Sequence, residues 1–401
     1  MKQREFPAVT VSKRAELSIK NGHPWVFETE ISAGGRGVEN GEIVDILNFK
    51  GAYIATGFYN ENSKIRLRVL TKNANERPDE AFWERVLRRA VEYRRTVMGG
   101  ELDCCRIIFG ESDGLPGLTV DRFDDVLVVQ TLSLGIERRK QLILGLLVKV
   151  LEEYGYKTSG IFERNDVAIR EREGMEQGKG WLPGYEGAST DVIITENAIK
   201  YHVDIENGQK TGFFLDQKFN RAACARIAKG KKVLDCFTHT GSFALNCAAG
   251  GAKSVTAVDI SADALDTAAK NAELNGLDIE FKCENVFDML ASMKNDEKYD
   301  FIILDPPAFT KSRATVDSAI RGYKEINLRA MKLLPRGGYL ATCSCSHFVP
   351  EDKFREMLRS AASDAGVSLR QIEVRQQAAD HPILWNVPET DYLKFFILQK
   401  V

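Results

Sequence analysis

The sequence has 401 residues, of which 44% are hydrophobic and 28% are charged. That balance is typical of globular proteins and excludes a disordered or fibrous chain. At this length two or three domains are expected, and the formal net charge of −2 argues against a protein that coats nucleic acid non-specifically.

No stretch of the sequence approaches the run of about 18 apolar residues that a membrane span needs, and the N-terminus lacks the apolar core of a secretory signal. We therefore expect a cytoplasmic protein with no membrane partner. The eight cysteines show no CxxC pair and the five histidines are widely separated. Reduced thiols and no metal site are the prediction.

The N-terminal half divides into two predicted domains. Residues 1–74 contain short β-type runs broken by glycine, which predict a small all-β barrel or sandwich. Residues 75–188 predict a small α+β module that opens with a helix over Pro78–Met98. Between Lys64 and Arg95 ten basic residues stand against five acidic ones. A solvated helix face and part of a nucleic-acid footprint both explain this excess.

Residues 189–401 form the third predicted domain. A hairpin-like stretch is followed, from Lys231 onward, by strands and helices in alternation. Near-continuous apolar strands separated by helices indicate an α/β fold with a doubly wound, mainly parallel sheet. The ending LRQIEVRQQ and YLKFFILQKV predicts an antiparallel last pair of strands.

Two aspartates at predicted strand tips point to an adenosyl ligand. The first strand ends VLDCFTHTGSF, which puts Asp235 at its tip and leaves Gly241 as the only glycine of the turn. A pyrophosphate loop needs several glycines, so a dinucleotide is disfavoured. The second strand ends at Asp259, where a carboxylate can bind both ribose hydroxyls. Taken singly, either aspartate also fits a helix cap or a turn.

The fourth and fifth strands place a carboxylate beside two thiols. The fourth ends Asp305-Pro306-Pro307, and the fifth ends TCSCS with Cys343 and Cys345 on one face by β alternation. Buried cysteines are common, but a position at the site edge beside an aspartate favours a nucleophile.

Taken together, LDCFTHTGSF, AVDIS, LDPPAF and TCSCS resemble class I S-adenosylmethionine-dependent RNA methyltransferases. More closely they resemble the bacterial 23S ribosomal RNA cytosine-5 methyltransferases of the large-subunit methyltransferase I type. The resemblance extends over essentially the whole chain and includes RIIFGESDGLPGLTVDRF, QKTGFFLDQ and DHPILWNVPETDYLK. It implies a PUA-like N-terminal barrel and a class I methyltransferase domain.

The resemblance also implies site residues. Cys345 would be the nucleophile that adds to C6 of cytosine, with Cys343 a weaker candidate, and Asp305 would bind the base. S-adenosylmethionine would be the cofactor. The segments that would hold it lie before the first strand and after four strands. They are Lys210, Phe213, Phe214, Asp216 and Gln217; Asp235, Phe237, Gly241, Ser242 and Phe243; Asp259, Ile260 and Ser261; Asn285, Val286 and Phe287; and Asp305, Pro306 and Pro307. Many relatives carry Asp at the position of Asn285.

The implied partner is 23S ribosomal RNA, free or in a precursor particle, and a homodimer is a candidate assembly. Three alternatives stay open. An exocyclic amino methyltransferase acting on adenine, guanine or cytosine would use the Asp305-Pro-Pro motif, although Ala308 separates that motif from Phe309. A non-catalytic RNA-binding scaffold and a small-molecule methyltransferase are the others. Ala308 also stands where many RNA cytosine-5 methyltransferases carry a second cysteine, so the group that removes the C5 proton and the group that assists release are unassigned.

Overall fold

The computed structural model describes residues 6–187, 189–293, 299–310 and 312–401. The chain forms two compact units. The N-terminal unit comprises Met1–Ile194, Val203–Leu215 and Ala379–Thr390, and the C-terminal unit comprises Thr195–His202, Asp216–Ala378 and Asp391–Val401. The predicted boundary at residue 188 falls outside the described residues, and the three predicted domain ranges stay a prediction.

A six-stranded sheet opens the N-terminal unit, in the order β2-β6-β5-β4-β1-β3. Its strands are β1 (Ala8–Val11), β2 (Trp25–Phe27), β3 (Ile31–Gly34), β4 (Ile43–Leu47), β5 (Tyr53–Tyr59) and β6 (Ile65–Thr71). Alternate residues such as Val9, Val44 and Leu67 fill its core. The all-β prediction omitted one helix, α1 (Lys13–Lys20). It begins at Ser12, whose side chain accepts a hydrogen bond from the Ala15 amide.

The α+β module follows in the same unit, with a five-stranded sheet in the order β11-β10-β9-β8-β7. Its elements are α2 (Glu80–Val97), β7 (Cys104–Phe109), β8 (Leu118–Phe123), β9 (Val126–Thr131), α3 (Leu134–Glu137), α4 (Lys140–Glu153), β10 (Gly160–Arg164) and β11 (Lys179–Trp181). The predicted first helix is confirmed: α2 begins after Asp79, whose carboxylate accepts from the Phe82 amide at 2.9 Å.

Some of the basic side chains on and near α2 are buried in ion pairs. Arg94 is fully buried and its guanidinium pairs with Asp113, while Arg68 pairs with Glu173 at 2.8 Å. Such buried cations cannot contact a polyanion in solvent. The footprint interpretation therefore does not extend to Arg68 or Arg94.

A two-stranded hairpin, β12 (Asp191–Glu196) and β13 (Ile199–Asp204), follows. Its two turn residues, Asn197 and Ala198, have φ values of 52° and 62°. Left-handed backbone at both central positions is the geometry of a type I′ turn, which suits the twist of a tight hairpin.

The C-terminal unit is built on a seven-stranded sheet in the order β16-β15-β14-β17-β18-β20-β19. The strands are β14 (Lys232–Cys236), β15 (Ser254–Asp259), β16 (Glu280–Cys283), β17 (Phe301–Leu304), β18 (Tyr339–Ser344), β19 (Leu369–Arg375) and β20 (Lys394–Lys400). The helices are α5 (Lys218–Ala228), α6 (Ser242–Ala249), α7 (Ala262–Leu274), α8 (Val286–Ser292), α9 (Val316–Leu333) and α10 (Glu351–Ala365).

The predicted doubly wound sheet is confirmed. Strands β14–β18 are parallel, and β20 runs antiparallel to both β18 and β19. Apolar side chains alternate between the two faces: Leu234 and Ile302 join one core, and Val233 and Ile303 join the other. The short helix α8 was absent from the prediction, because seven residues carry little periodicity.

The register of the parallel strands brings the predicted site residues to one edge of the sheet. Cys236 is paired with Leu304, and Leu304 with Thr342. Asp235, Asp305 and Cys343 therefore meet at the carboxyl ends of β14, β17 and β18, where open α/β sheets bind ligands. Among the described residues no helix combines the length and apolar character that crossing a bilayer requires.

Candidate active site

Asp235 lies near the end of β14 and is fully buried. Its Oδ2 accepts from the Thr238 hydroxyl at 2.5 Å and from the Ala244 amide at 3.0 Å. Its Oδ1 is buried with no hydrogen-bond partner among the described residues. Burial raises the pKa of Asp235 to about 7, against the opposing effect of the Thr238 hydrogen bond. A buried carboxylate with one unsatisfied oxygen is suited to a cationic ligand.

The turn after β14 is held in a strained conformation. Phe237 and His239 have positive φ values of 64° and 50°, and Gly241 has 83°. The Thr238 amide donates to the Val258 carbonyl at 3.0 Å, which ties the turn to β15. A Cβ at Gly241 would lie 3.0 Å from the Cβ of Ala268. Glycine here serves the backbone conformation and the packing on α7; its contact with the cofactor stays a prediction.

Asp259 ends β15 with both carboxylate oxygens oriented by backbone amides. Oδ2 accepts from His239 and Oδ1 from Ser261, each at 2.9 Å. Ser261 is the N-cap of α7. The side chain of Ile260, between Asp259 and Ser261, is 69% exposed. Each oxygen keeps a second lone pair, so the carboxylate is oriented to accept from a diol. Contact of Ile260 with the cofactor stays a prediction.

Asn285 caps α8, since its Oδ1 accepts from the Phe287 amide at 2.9 Å. Its side-chain amide nitrogen makes no hydrogen bond within the described part of the chain, and it can donate. Val286 is buried, whereas the Phe287 ring lies against Phe237 at 6.3 Å and Phe309 at 5.7 Å between centroids. Phe287 and Phe237 thus form an aromatic wall between the ends of β14 and β16. Contact of this wall with adenine stays a prediction.

The segment before α5 divides between the two units. Asp216 and Gln217 belong to the C-terminal unit, where Oδ2 of Asp216 accepts from the Tyr392 hydroxyl at 2.7 Å. Lys210, Phe213 and Phe214 belong to the N-terminal unit, and the Lys210 ammonium lies 4.4 Å from the centroid of the Phe214 ring. The predicted role of these three residues over the cofactor remains a prediction.

Two further predicted cofactor residues lie at the start of α6. Phe243 is buried and stacks on Phe395 with 5.9 Å between ring centroids. The Ser242 hydroxyl accepts from the Arg221 guanidinium at 3.4 Å. Both residues follow the strained turn directly, but Phe243 is part of the core.

Asp305 is held by two donors from different elements. The Cys343 thiol donates to its Oδ1 at 2.8 Å, and the Gln217 side-chain amide donates to the same oxygen at 3.2 Å. Pro306 after it is buried and Pro307 is exposed. The proline pair stiffens the backbone that carries the carboxylate. Asp305 therefore has a fixed orientation at the end of β17.

The two thiols of TCSCS occupy different environments on one face. Both pack against the core that contains Phe395, as alternation predicted, while the intervening Ser344 donates to the Tyr323 hydroxyl at 3.0 Å on the other side. Cys343 is fully buried, and burial together with the Asp305 charge raises the pKa of its thiol. Cys345 lies one residue past the end of β18 and is only half-buried.

Phe309 is already engaged in packing. Its ring lies 4.5 Å from that of Tyr323 and 5.7 Å from that of Phe287, centroid to centroid, and a Cβ on Gly322 of α9 would come within 3.2 Å of it. An aromatic that stacks on a base needs an accessible face, so this arrangement disfavours Phe309 as such a platform.

Sequence reasoning missed three residues of this edge. Thr238 bonds Asp235, Tyr392 bonds Asp216, and Lys394 places its buried ammonium on the Ser346 carbonyl. A hydroxyl three residues after Asp235 was a signal for the first. The other two depend on how β20 pairs, which local pattern does not report.

S-adenosylmethionine fits the residues present. The unsatisfied Oδ1 of Asp235 would hold its ammonium and Asp259 its ribose hydroxyls. Among the described residues no group of three or more His, Cys, Asp or Glu side chains is arranged to hold a metal ion. The arrangement can bind a cationic nucleoside and hold a carboxylate and a half-exposed thiol beside it.

Comparisons with known proteins agree on the two parts of the chain. A family model of S-adenosylmethionine-dependent methyltransferases matches residues 113–386, and one of PUA-like domains matches residues 9–72. "Ribosomal RNA large subunit methyltransferase I" of Klebsiella pneumoniae is 41% identical over 396 residues, which cover 98% of each chain. Its counterpart in Pseudoalteromonas translucida is 44% identical over 397 residues, covering 97% of this chain and 98% of the relative.

Among solved structures, a SAM-dependent methyltransferase from Streptococcus mutans is similar with a TM-score of 0.80 and 21% identity, covering 98% of this chain and all of the other. A methyltransferase solved in complex with SAH is similar with a TM-score of 0.82, at 21% identity and the same coverage. At this identity the likeness concerns the fold.

Proposed function

The chain belongs to the ribosomal RNA large subunit methyltransferase I family of S-adenosylmethionine-dependent methyltransferases, and from this premise we propose that it methylates C5 of a cytosine in 23S ribosomal RNA through an adduct on Cys345. Ribosomal RNA as the substrate class follows from the relatives' names. The choice of atom and of nucleophile is the finer part of the proposal.

The observation that carries the proposal is the difference between the two thiols. Cys343 is buried and its proton is committed to Asp305, so it is a poor nucleophile. Cys345 is the next residue on the same face and is half-exposed at the strand end. A base that reaches this edge would meet the thiol of Cys345 and the carboxylate of Asp305.

The proposed chemistry needs both groups. The Cys345 thiolate forms a bond to C6 of the extruded cytosine, and the electron pair released onto C5 makes that carbon a nucleophile. S-adenosylmethionine supplies the electrophilic methyl group. A general base then takes the C5 proton, the C–H electron pair re-forms the C5–C6 double bond, and the C6–S bond breaks to release the Cys345 thiolate. Asp305, held by Cys343 and Gln217, binds the polar edge of the base.

The alternatives have less support. An exocyclic amino methyltransferase would leave Cys345 without a function, and the Phe309 ring is packed between Phe287 and Tyr323. A non-catalytic scaffold would have no use for the buried, unsatisfied oxygen of Asp235. A small-molecule methyltransferase would not need the PUA-like domain.

The test is mechanism-based trapping with 23S ribosomal RNA that contains 5-azacytidine. The wild-type protein with S-adenosylmethionine should form a complex that survives denaturation, and mass spectrometry should map the link to Cys345. The Cys345→Ala variant should neither trap nor methylate, whereas the matched Cys343→Ala variant should still trap. Full methylation by Cys345→Ala would overturn the proposal.

Two further parts of the proposal concern assembly. The substrate is 23S ribosomal RNA, free or within a precursor particle, and the candidate assembly is a homodimer. Methylation rates on naked 23S RNA and on precursor particles test the first. Sedimentation equilibrium tests the second, with a mass near twice 44.8 kDa expected.

A further inference from the structure

Tyr323 of α9 contacts the chain at the ends of both β17 and β18. Its side chain is fully buried. Its ring lies 4.5 Å, centroid to centroid, from that of Phe309 in the loop that begins at Asp305. Its hydroxyl oxygen accepts a hydrogen bond from the Ser344 hydroxyl at 3.0 Å, and Ser344 is the residue before Cys345. One buried side chain therefore packs on the loop of the carboxylate and bonds the segment of the half-exposed thiol.

The turn through Cys345 is closed by two buried serines. Ser344, whose hydroxyl donates to α9, also accepts from the amide of Ser346 at 3.3 Å, so one side chain spans Cys345 in the manner of a serine turn. The Ser346 hydroxyl donates to the carbonyl of Thr310 at 3.2 Å. Ser344 is fully buried and Ser346 is 2% exposed. The chain on each side of Cys345 is therefore bonded to another element, to α9 before it and to the loop after β17 behind it.

These bonds hold the turn in one arrangement. The bond from Cys343 to Asp305 at 2.8 Å adds a link between the same two segments. Residues 343, 344 and 346 are thus all bonded, while residue 345 is half-exposed. A displaced turn would leave the buried Ser344 hydroxyl without its partners, which is unfavourable. Since a misplacement of about 1 Å between reacting groups can lower a rate about a hundredfold, a fixed turn matters for the chemistry.

We propose that Tyr323 is a positioning residue that sets the separation between the Cys345 thiol and the Asp305 carboxylate. Its ring supports Phe309 and with it the loop of the carboxylate, and its hydroxyl holds Ser344 and with it the turn of the thiol. Burial raises the pKa of the Tyr323 hydroxyl, so this group stays neutral over the pH range of an assay. That the held thiol is the nucleophile rests on the proposed function; that Tyr323 holds the turn does not.

Tyr323→Phe and Tyr339→Phe form a matched pair of variants. Tyr323→Phe keeps the ring against Phe309 and removes only the hydroxyl that binds Ser344. Tyr339 opens β18, at the end of the strand opposite to the thiols, and its hydroxyl accepts from the Gln399 side-chain amide at 3.2 Å. Each substitution removes one hydroxyl that accepts from one side chain, and only the first does so at the thiol end of the strand.

The first measurement is hydrogen exchange of the full-length protein, followed by mass spectrometry in peptides that contain the amide of Ser346. That amide donates to Ser344, so its protection reports whether the turn is held. We expect exchange about tenfold faster in Tyr323→Phe than in the wild type, and unchanged exchange in Tyr339→Phe. Equal protection in the wild type and Tyr323→Phe overturns the proposal.

The second measurement is steady-state methylation of 23S ribosomal RNA. Tyr323→Phe should lower kcat about tenfold at an unchanged KM for RNA and an unchanged Kd for S-adenosylmethionine, while Tyr339→Phe keeps the wild-type values. Ser344→Ala removes the other half of the same hydrogen bond, so the double variant should be no slower than Ser344→Ala alone. Losses that multiply in the double variant, or a wild-type kcat in Tyr323→Phe, overturn the proposal.

Failure of the positioning role and failure of the proposed function give different results. Faster exchange and a lower kcat in Tyr323→Phe support the positioning role even if RNA containing 5-azacytidine fails to trap the wild-type protein, and that failure counts against the Cys345 adduct alone. Trapping at Cys345 at equal rates in the wild type and Tyr323→Phe retains the proposed function and overturns the role of Tyr323.

Discussion

The Cys343 thiol donates a hydrogen bond to Oδ1 of Asp305 over 2.8 Å, joining the ends of β18 and β17. One cysteine of TCSCS thus orients the carboxylate, and the other is left accessible two residues later. Two cysteines two residues apart therefore differ in what they contact: Cys343 bonds the carboxylate, and Cys345 is partly exposed.

Cys343→Ala should therefore impair methylation without abolishing it. A hydrogen bond to a charged group contributes about 1.5–3 kcal/mol, so we expect kcat/KM to fall about tenfold or more, with the Cys345 adduct still formed. Cys343→Ser, whose hydroxyl can donate to Asp305, should recover most of the loss. Equal activities of the Ala and Ser variants would show that this hydrogen bond does not orient Asp305.

Affinity for S-adenosylmethionine should rise with pH through neutrality. Asp235 has its pKa raised from 3.8 to about 7 by burial, and only the ionised form attracts an ammonium. Between pH 6 and pH 8 the ionised fraction rises roughly tenfold, and Kd should fall by about that factor. Calorimetry in buffers of different ionisation enthalpy should detect proton release at pH 6.

Asp235→Asn is the control for this pH dependence, because it keeps the size of the side chain and cannot titrate. This variant should bind S-adenosylmethionine with a higher Kd, and that Kd should not change between pH 6 and pH 8. The same group sets a stability trend in the ligand-free protein: its raised pKa favours the native state below pH 3.8, and that contribution is lost as pH rises to about 7. The wild type should therefore lose more stability than Asp235→Asn between pH 5 and pH 8. A parallel decline in both proteins would contradict the assignment.

Loss of Arg221 should destabilise the C-terminal unit strongly. Its guanidinium forms a two-pronged ion pair with Glu196 at 2.7 and 2.9 Å, and both side chains are almost completely buried. Arg221→Met leaves a buried carboxylate without its cation, which costs about 3–5 kcal/mol. Chemical denaturation would measure the change in the free energy of unfolding.

The matched control for Arg221 is Arg329→Met on α9. Arg329 also pairs with a glutamate, Glu325, at 2.8 Å, but the two side chains are 39% and 48% exposed. Such a pair contributes less than about 1 kcal/mol. Similar losses in the two variants would mean that burial of the Arg221 pair is not what makes it important.

Trp385 should matter for RNA and not for folding. Its side chain is 98% exposed in the segment Ala379–Thr390 of the N-terminal unit. An aromatic ring in solvent offers a stacking surface to an unpaired base, worth about 1–3 kcal/mol. Trp385→Ala should weaken binding of a 23S RNA fragment about tenfold with no change in Tm, and Trp385→Phe should bind nearly as well as wild type. Unchanged affinity in the Ala variant, or a lowered Tm, would exclude this role.

Patterns along the chain were sufficient for the architecture of the sheet and for the strand-tip positions of Asp235, Asp259 and Asp305. Parallel strands of one sheet end at one edge, so local periodicity carries that information. Alternation likewise put Cys343 and Cys345 on one face. Their different burial could not be read from it, because it depends on where β18 ends.

Other features required the folded chain. Phe237 and His239 adopt left-handed backbone, which the identity of these residues does not predict. Contacts of the turn with Asp259 and Val258 hold this conformation. Lys394 comes to Ser344 from 50 residues away through an antiparallel register. Long-range pairing of this kind leaves no local periodic signal.

That register has a consequence for the order of assembly. In the chain β20 comes after β18 and β19, yet in the sheet it lies between them. Until it inserts, β18 has an open edge, and the TCSCS segment lacks the ammonium that reaches the Ser346 carbonyl. The TCSCS segment therefore acquires this contact in the same event that closes the sheet. A chain caught before that event would expose an unprotected strand edge, which is prone to intermolecular pairing.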